Sequence, residues 1–144
     1  MQTTKSTRSV SSTEISRKWH LIDLEGKTLG REMGQITDLL QGKSKRSYVP
    51  YLDVGDFVVV INAQDVKTTG KKGAQKIYDR YSGYQSGRKT MTLNEMMVRK
   101  PTEVVREAVS GMLPKNKHRD ARLARLYIYK DARHPYAQNI QVTS

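Results

Sequence analysis

Five consecutive residues, Phe57-Val58-Val59-Val60-Ile61, constrain the fold more than any other feature of the chain. The run is apolar at every position rather than at every second one, and its last four residues are β-branched. A strand of that kind must be covered on both faces, which a parallel sheet flanked by helices provides. It is also the longest unbroken apolar run, and it is far too short to span a bilayer. A length of 144 residues suits one domain, and a hydrophobic content of 36% supplies one small core.

The rest of the pattern agrees with that reading. WHLIDL (19–24) reads as a strand. Leu29, Met33, Ile36 and Leu40 then fall on one helical face, and Gly42 supplies the stop. A basic loop, GKSKRS (42–47), and a DVGD turn (53–56) precede the central run, and a Gly-rich basic connection (66–76) follows it. KIYDRYS (76–82) reads as a third strand and GYQSGRK (83–89) as another basic loop. Thr92 and Glu95 form the capping pattern T-x-x-E, and Pro101 suits the first turn of a second helix carrying Val105, Ala108, Val109 and Met112. Residues 117–125 are helix-like and very basic, LYIYK (126–130) reads as the last strand, and the tail from Asp131 lacks periodicity. Strands alternating with helices predict an α/β layered domain with a mostly parallel sheet over 19–144. Residues 1–18, rich in Ser and Thr, read as a flexible arm, and no apolar segment there resembles a secretion signal.

Little in the chain supports catalysis. The strand-to-helix turn EGKTLG (25–30) sits where phosphate loops occur, but a Walker A loop would need glycine at position 21, which is Leu21. Gly26, Gly30 and Gly34 are spaced by four and miss the dinucleotide pattern, so the turn reads as packing. Asp53 and Asp56 read as turn residues rather than metal ligands. His20, His118 and His134 fit no zinc spacing; His20 reads as a satisfied structural group and His118 as a solvent or RNA contact. Cysteine is absent, which removes thiol chemistry and disulfides and fits a reducing compartment. No enzyme activity, cofactor, metal or small-molecule substrate is expected, nor a membrane partner. Eight tyrosines stand out; Tyr78, Tyr127 and Tyr129 read as core, and Tyr84, in a Gly-flanked basic loop, as exposed or as a base contact.

Charge carries the functional reading. Lys and Arg total 26 against 14 Asp and Glu, a formal charge of +12. The basic residues cluster in loops: Lys43, Lys45 and Arg46; Lys71, Lys72 and Lys76; Arg88 and Lys89; Lys115 and Lys117. Arg119, Arg122 and Arg125 are spaced by three, which predicts one basic helical face. Reversing those three charges is expected to impair RNA-dependent assembly without lowering the unfolding temperature. Such a surface fits a polyanion, and no DNA-reading module is present, which favours a folded RNA recognised through its backbone. A nucleotide-dependent or nucleic-acid-processing enzyme and a DNA-compacting protein are the competing classes; the first would bind ATP and the second duplex DNA.

Read together, W-x-L-I-D-x-x-G-K-T-L-G-R (19–31), G-K-x-K-x-x-Y-x-P-x-x-D-x-G-D (42–56), V-V-V-I-N-A (58–63), R-K-P-x-x-V (99–104), V-x-G-M-L-P-K (109–115) and L-x-x-L-x-x-Y (123–129) resemble the large-subunit ribosomal protein L-thirteen family, in its bacterial or organellar form. The likeness covers about residues 14–138. It implies a three-layer α/β/α sandwich around a four-stranded, mostly parallel sheet. It also implies a non-catalytic protein of the cytoplasmic ribosome that binds large-subunit rRNA, joins early in assembly and lies among other large-subunit proteins. Gly42, Lys43, Lys45 and Gly111 to Lys115 match the family's basic segments. Asn116, Lys117, His118 and Arg119 replace a Gly-Pro-Leu-Gly-like turn common in the family.

Overall fold

The computed structural model describes residues 10–142. Along the chain come β1 (Trp19–Asp23), α1 (Leu29–Gln41), β2 (Phe57–Ile61), α2 (Lys72–Gln75), β3 (Ile77–Tyr81), β4 (Arg88–Thr92), α3 (Leu93–Arg99), α4 (Pro101–Met112), α5 (Arg119–Ala124), β5 (Leu126–Ile128) and α6 (Ala137–Val142). The run that dominates the sequence becomes β2, the middle strand of a parallel sheet of order β1-β2-β5. Val58 through Ile61 are all buried, as a two-sided strand requires.

Strand order rises in one direction, so right-handed crossovers bring α1 and α4 to the same face. There they pack on each other. Ile22, Val58, Val60 and Leu126 from the sheet meet Met33, Ile36 and Leu40 of α1 and Val104, Val105 and Val109 of α4 in one core. The apolar stripe read from the sequence is thus the buried face of α1. Gly42 closes that helix in the left-handed region at φ 75°. The Thr92–Glu95 capping box forms at the start of α3, and Pro101 opens α4. The opposite sheet face carries aromatic rings. Trp19 stacks on Phe57 at 4.5 Å and on Tyr136 at 4.9 Å, with Tyr127 at 5.7 Å.

Four expectations change. The parallel sheet has three strands among the described residues rather than four, and residues 77–81 pair antiparallel with 88–92 as a separate ribbon. That segment interleaves Asp79 and Arg80 with its apolar residues and is largely exposed, so it cannot serve as a strand covered on both sides. Residues 88–89, expected in a loop, lie in β4. The tail contributes a ring to the aromatic stack and a short helix, where periodicity was too brief to be seen. Finally, the end of the arm is tied down. Lys18 donates its backbone N–H to Asp56 at 2.9 Å, and the Arg17 guanidinium donates to the Gly55 carbonyl at 2.6 Å. Residues 1–9 of the expected arm lie outside the described residues.

Candidate nucleic-acid interface

The DVGD segment organises the charge of the molecule. Val54, Gly55 and Asp56 are buried, and the Gly55 backbone lies against α1. A Cβ at Gly55 would sit 1.7 Å from the Leu40 carbonyl oxygen, so this position admits no side chain. On either side of it the two aspartates face inward.

Asp53 accepts a two-pronged grip from Arg125, with both N–O distances 2.6 Å. Arg122 Nε lies 3.6 Å from the same carboxylate, and Arg17 donates to the Asp53 carbonyl at 3.2 Å. Burial pushes the Asp53 carboxyl up, but the hydrogen bonds from Arg125 and the charges of Arg125, Arg17 and Arg122 outweigh it and hold the group below the usual carboxylate range. Asp56 holds an ion pair with Lys45, a 2.9 Å contact with His20 Nε2 and the Lys18 N–H. Burial again works upward, and Lys45, Lys18 and His20 together bring this carboxyl below its ordinary value. Lys45 also donates to the Ser16 and Val54 carbonyls, each at 2.7 Å. These aspartates therefore do more than turn the chain: they clamp the 42–56 loop to α1, α5 and the arm.

This sorts the twelve cations expected to face RNA, which are those named above without Lys76. Arg122 is 2% exposed and Arg125, just past the end of α5, 8% exposed, so two of the three arginines spaced by three point inward and cannot reach a phosphate. Spacing by three did align them, but on the buried face, because Asp53 offers a charge that water would otherwise have to supply. Lys45 is likewise engaged. Arg119 is half-buried and donates to Ser110 Oγ at 2.5 Å. The remaining eight, Lys43, Arg46, Lys71, Lys72, Arg88, Lys89, Lys115 and Lys117, are exposed. Two of them have carboxylate neighbours at the surface, Lys43 with Asp38 at 3.2 Å and Arg88 with Asp79 at 2.8 Å.

The outward cations fall into two groups. Lys43 and Arg46 share one region with Lys115 and Lys117, because His118 Nε2 meets the Tyr51 carbonyl at 3.2 Å and joins the two loops. Lys71 and Lys72 lie with the β3–β4 ribbon, where Leu93 donates to the Lys76 carbonyl at 2.9 Å. Between α1 and the end of α4 runs a cleft of about 510 Å³ lined in part by Arg31, Thr68, Lys72, Lys76 and Glu107. Among the described residues no three histidine or acidic side chains converge as metal ligands, and no helix is long and apolar enough to cross a membrane.

Sequence reasoning missed Arg17 and the inward roles of Asp53 and Asp56. The signal was present: two acidic residues in an otherwise cationic stretch, with Gly55 between them. It also gave no weight to Arg80, which the ribbon leaves exposed beside Lys89.

The family model described as ribosomal protein L13 matches residues 17–135. The chain is 47% identical over 124 residues to the large ribosomal subunit protein uL13 of Rubrobacter xylanophilus, covering 86% of this chain and 87% of the relative. It is 46% identical over 131 residues to the uL13 of Prochlorococcus marinus, covering 90% and 87%. It is 48% identical over 130 residues to that of Clostridioides difficile, covering 90% and 91%.

Proposed function

The chain belongs to the ribosomal protein L13 family, whose members are structural and non-enzymatic, and from that premise we propose that it binds large-subunit rRNA through its outward cations and supports early assembly of the subunit. Its role is that of a structural component of the large ribosomal subunit in translation, in the cytoplasm, on a ribosome of the bacterial type of its relatives.

The observation that carries the RNA reading is the division of the charge. Asp53 and Asp56 are consumed inside the fold, while eight cations remain at the surface, on the 42–47 and 115–117 loops, at the start of α2 and on β4. Each phosphate contact releases a counterion, and an ordered backbone confines the freedom lost on binding to the side chains. The α/β core acts as a scaffold that holds the two basic regions apart at a set spacing, so that separate stretches of RNA backbone can be joined. Neighbouring large-subunit proteins are the expected further contacts.

The test compares a tagged chain with its Lys115→Glu/Lys117→Glu variant in sucrose gradients of cell lysate. The native chain should sediment with the large subunit, and the variant should shift toward the top of the gradient while keeping its unfolding temperature. A native chain that stays at the top, or that sediments with chromosomal DNA, would refute the proposal.

A further inference from the structure

The tip of the β3–β4 ribbon holds an aromatic ring that the fold does not use. Tyr84 is 79% exposed and Tyr81 is 66% exposed. An isolated two-stranded ribbon is marginal in water, so its outer end adds little to the stability of the core. Yet the tip backbone is fixed with care. Ser82 donates to the Gly87 carbonyl at 3.3 Å, and Gly87 donates to the Tyr84 carbonyl at 2.9 Å, closing a four-residue turn. Gly83 sits at φ 85° and Ser86 at φ 61°, the latter a left-handed conformation that side-chain-bearing residues seldom adopt. Strain of that sort persists where a geometry is useful. The geometry it secures here is an outward tyrosine.

We propose that Tyr84 is a stacking platform for an unpaired RNA base, with Arg80, Arg88 and Lys89 holding the flanking phosphates. This rests on the rRNA-binding reading and adds to it a subsite and a ligand class. Between residues 76 and 89 there are four cations, Lys76, Arg80, Arg88 and Lys89, against the single carboxylate of Asp79. A ring beside cations matches a nucleotide, which offers a π-face and a negative charge a few ångströms apart. The centre of a protein interface is depleted of lysine and of charge overall, whereas this ribbon carries Arg80, Arg88 and Lys89 along with its rings. Duplex RNA keeps its bases stacked on one another, so the ring distinguishes single-stranded from paired RNA, whereas the cations do not.

The experiment measures binding of the full chain, by fluorescence anisotropy at low salt, to a labelled oligoadenylate, to an RNA duplex of equal phosphate number and to refolded large-subunit rRNA. Tyr84→Ala should weaken oligoadenylate binding roughly tenfold, the typical loss of one stacked base, and leave the duplex within about twofold. Tyr84→Phe should behave as the native chain, and all three proteins should melt together, since the ring makes no core contact. Equal losses on both short RNAs, no loss on either, or no binding of oligoadenylate by the native chain would each overturn the stacking role. Salt-sensitive binding of native chain to rRNA keeps the broader reading intact in every one of those cases, and its absence refutes that reading separately. If Tyr84→Ala binds every RNA normally but fails to enter the subunit, the tip docks on a protein and the stacking role is overturned.

Discussion

Asp53 is one carboxylate facing three guanidinium groups, and removing its charge strands all of them in or near the interior. Breaking such a buried pair typically costs 3–5 kcal/mol, so Asp53→Asn should lower the unfolding temperature by about 10 °C or more in calorimetry. Arg122→Glu should fail in the same way, in contrast to Lys117→Glu at the surface. The acid limb of stability follows from the same residues. Asp53 and Asp56 both titrate below their ordinary value in the folded chain. Their contribution is therefore complete above about pH 4, the usual carboxylate range, and is lost as pH falls through the depressed folded values. Thermal melts across an acid series should show a steep decline below about pH 4, and Asp53→Asn should flatten it. At this scale the sequence was legible for the helical stripe and the caps, which depend on neighbours three and four residues away. It was not legible for α5. Spacing by three says that Arg119, Arg122 and Arg125 share a face, but only the position of Asp53, far along the chain, says which way that face points.

Among the elements, the 42–56 loop and the β3–β4 ribbon behave in opposite ways. The loop is basic in composition yet locked. Its Gly55 backbone packs where a methyl group would overlap the Leu40 carbonyl, so Gly55→Ala should cost about 3 kcal/mol in chemical denaturation, at the upper end of overpacking penalties. Such a variant should also lose RNA affinity, because Lys43 and Arg46 would no longer be held in place. The ribbon, read as a parallel strand and a loop, folds on itself because Gly83 and Ser86 take positive φ values that reverse the chain. Glycine at position 83 hinted at a turn, whereas nothing about serine at position 86 announces a left-handed conformation. β1, α1, β2, α3, α4 and β5 were visible because each carries its own period or cap. Which strands pair is set by long-range packing and was not.

Over the whole molecule, the net charge of +12 is unevenly divided between interior and surface. The fold buries its structural ion pairs at the N-terminal ends of the parallel strands and leaves eight of the expected cations outside, in two regions linked through the α1–α4 layer. Composition alone pointed to a polyanion, and the family motifs pointed to the ribosome. The division of labour among the cations required the three-dimensional arrangement, because an arginine at an ion pair and one at a surface look alike in sequence. The measurement closest to this division is the salt dependence of affinity for refolded large-subunit rRNA. If half of the eight outward cations each neutralise a phosphate, log K should fall against log salt with a slope of about −3 or steeper. Lys115→Glu/Lys117→Glu should make the slope shallower by about 2. A flat dependence, or affinity unaffected by that variant, would contradict the proposed role of the surface charge.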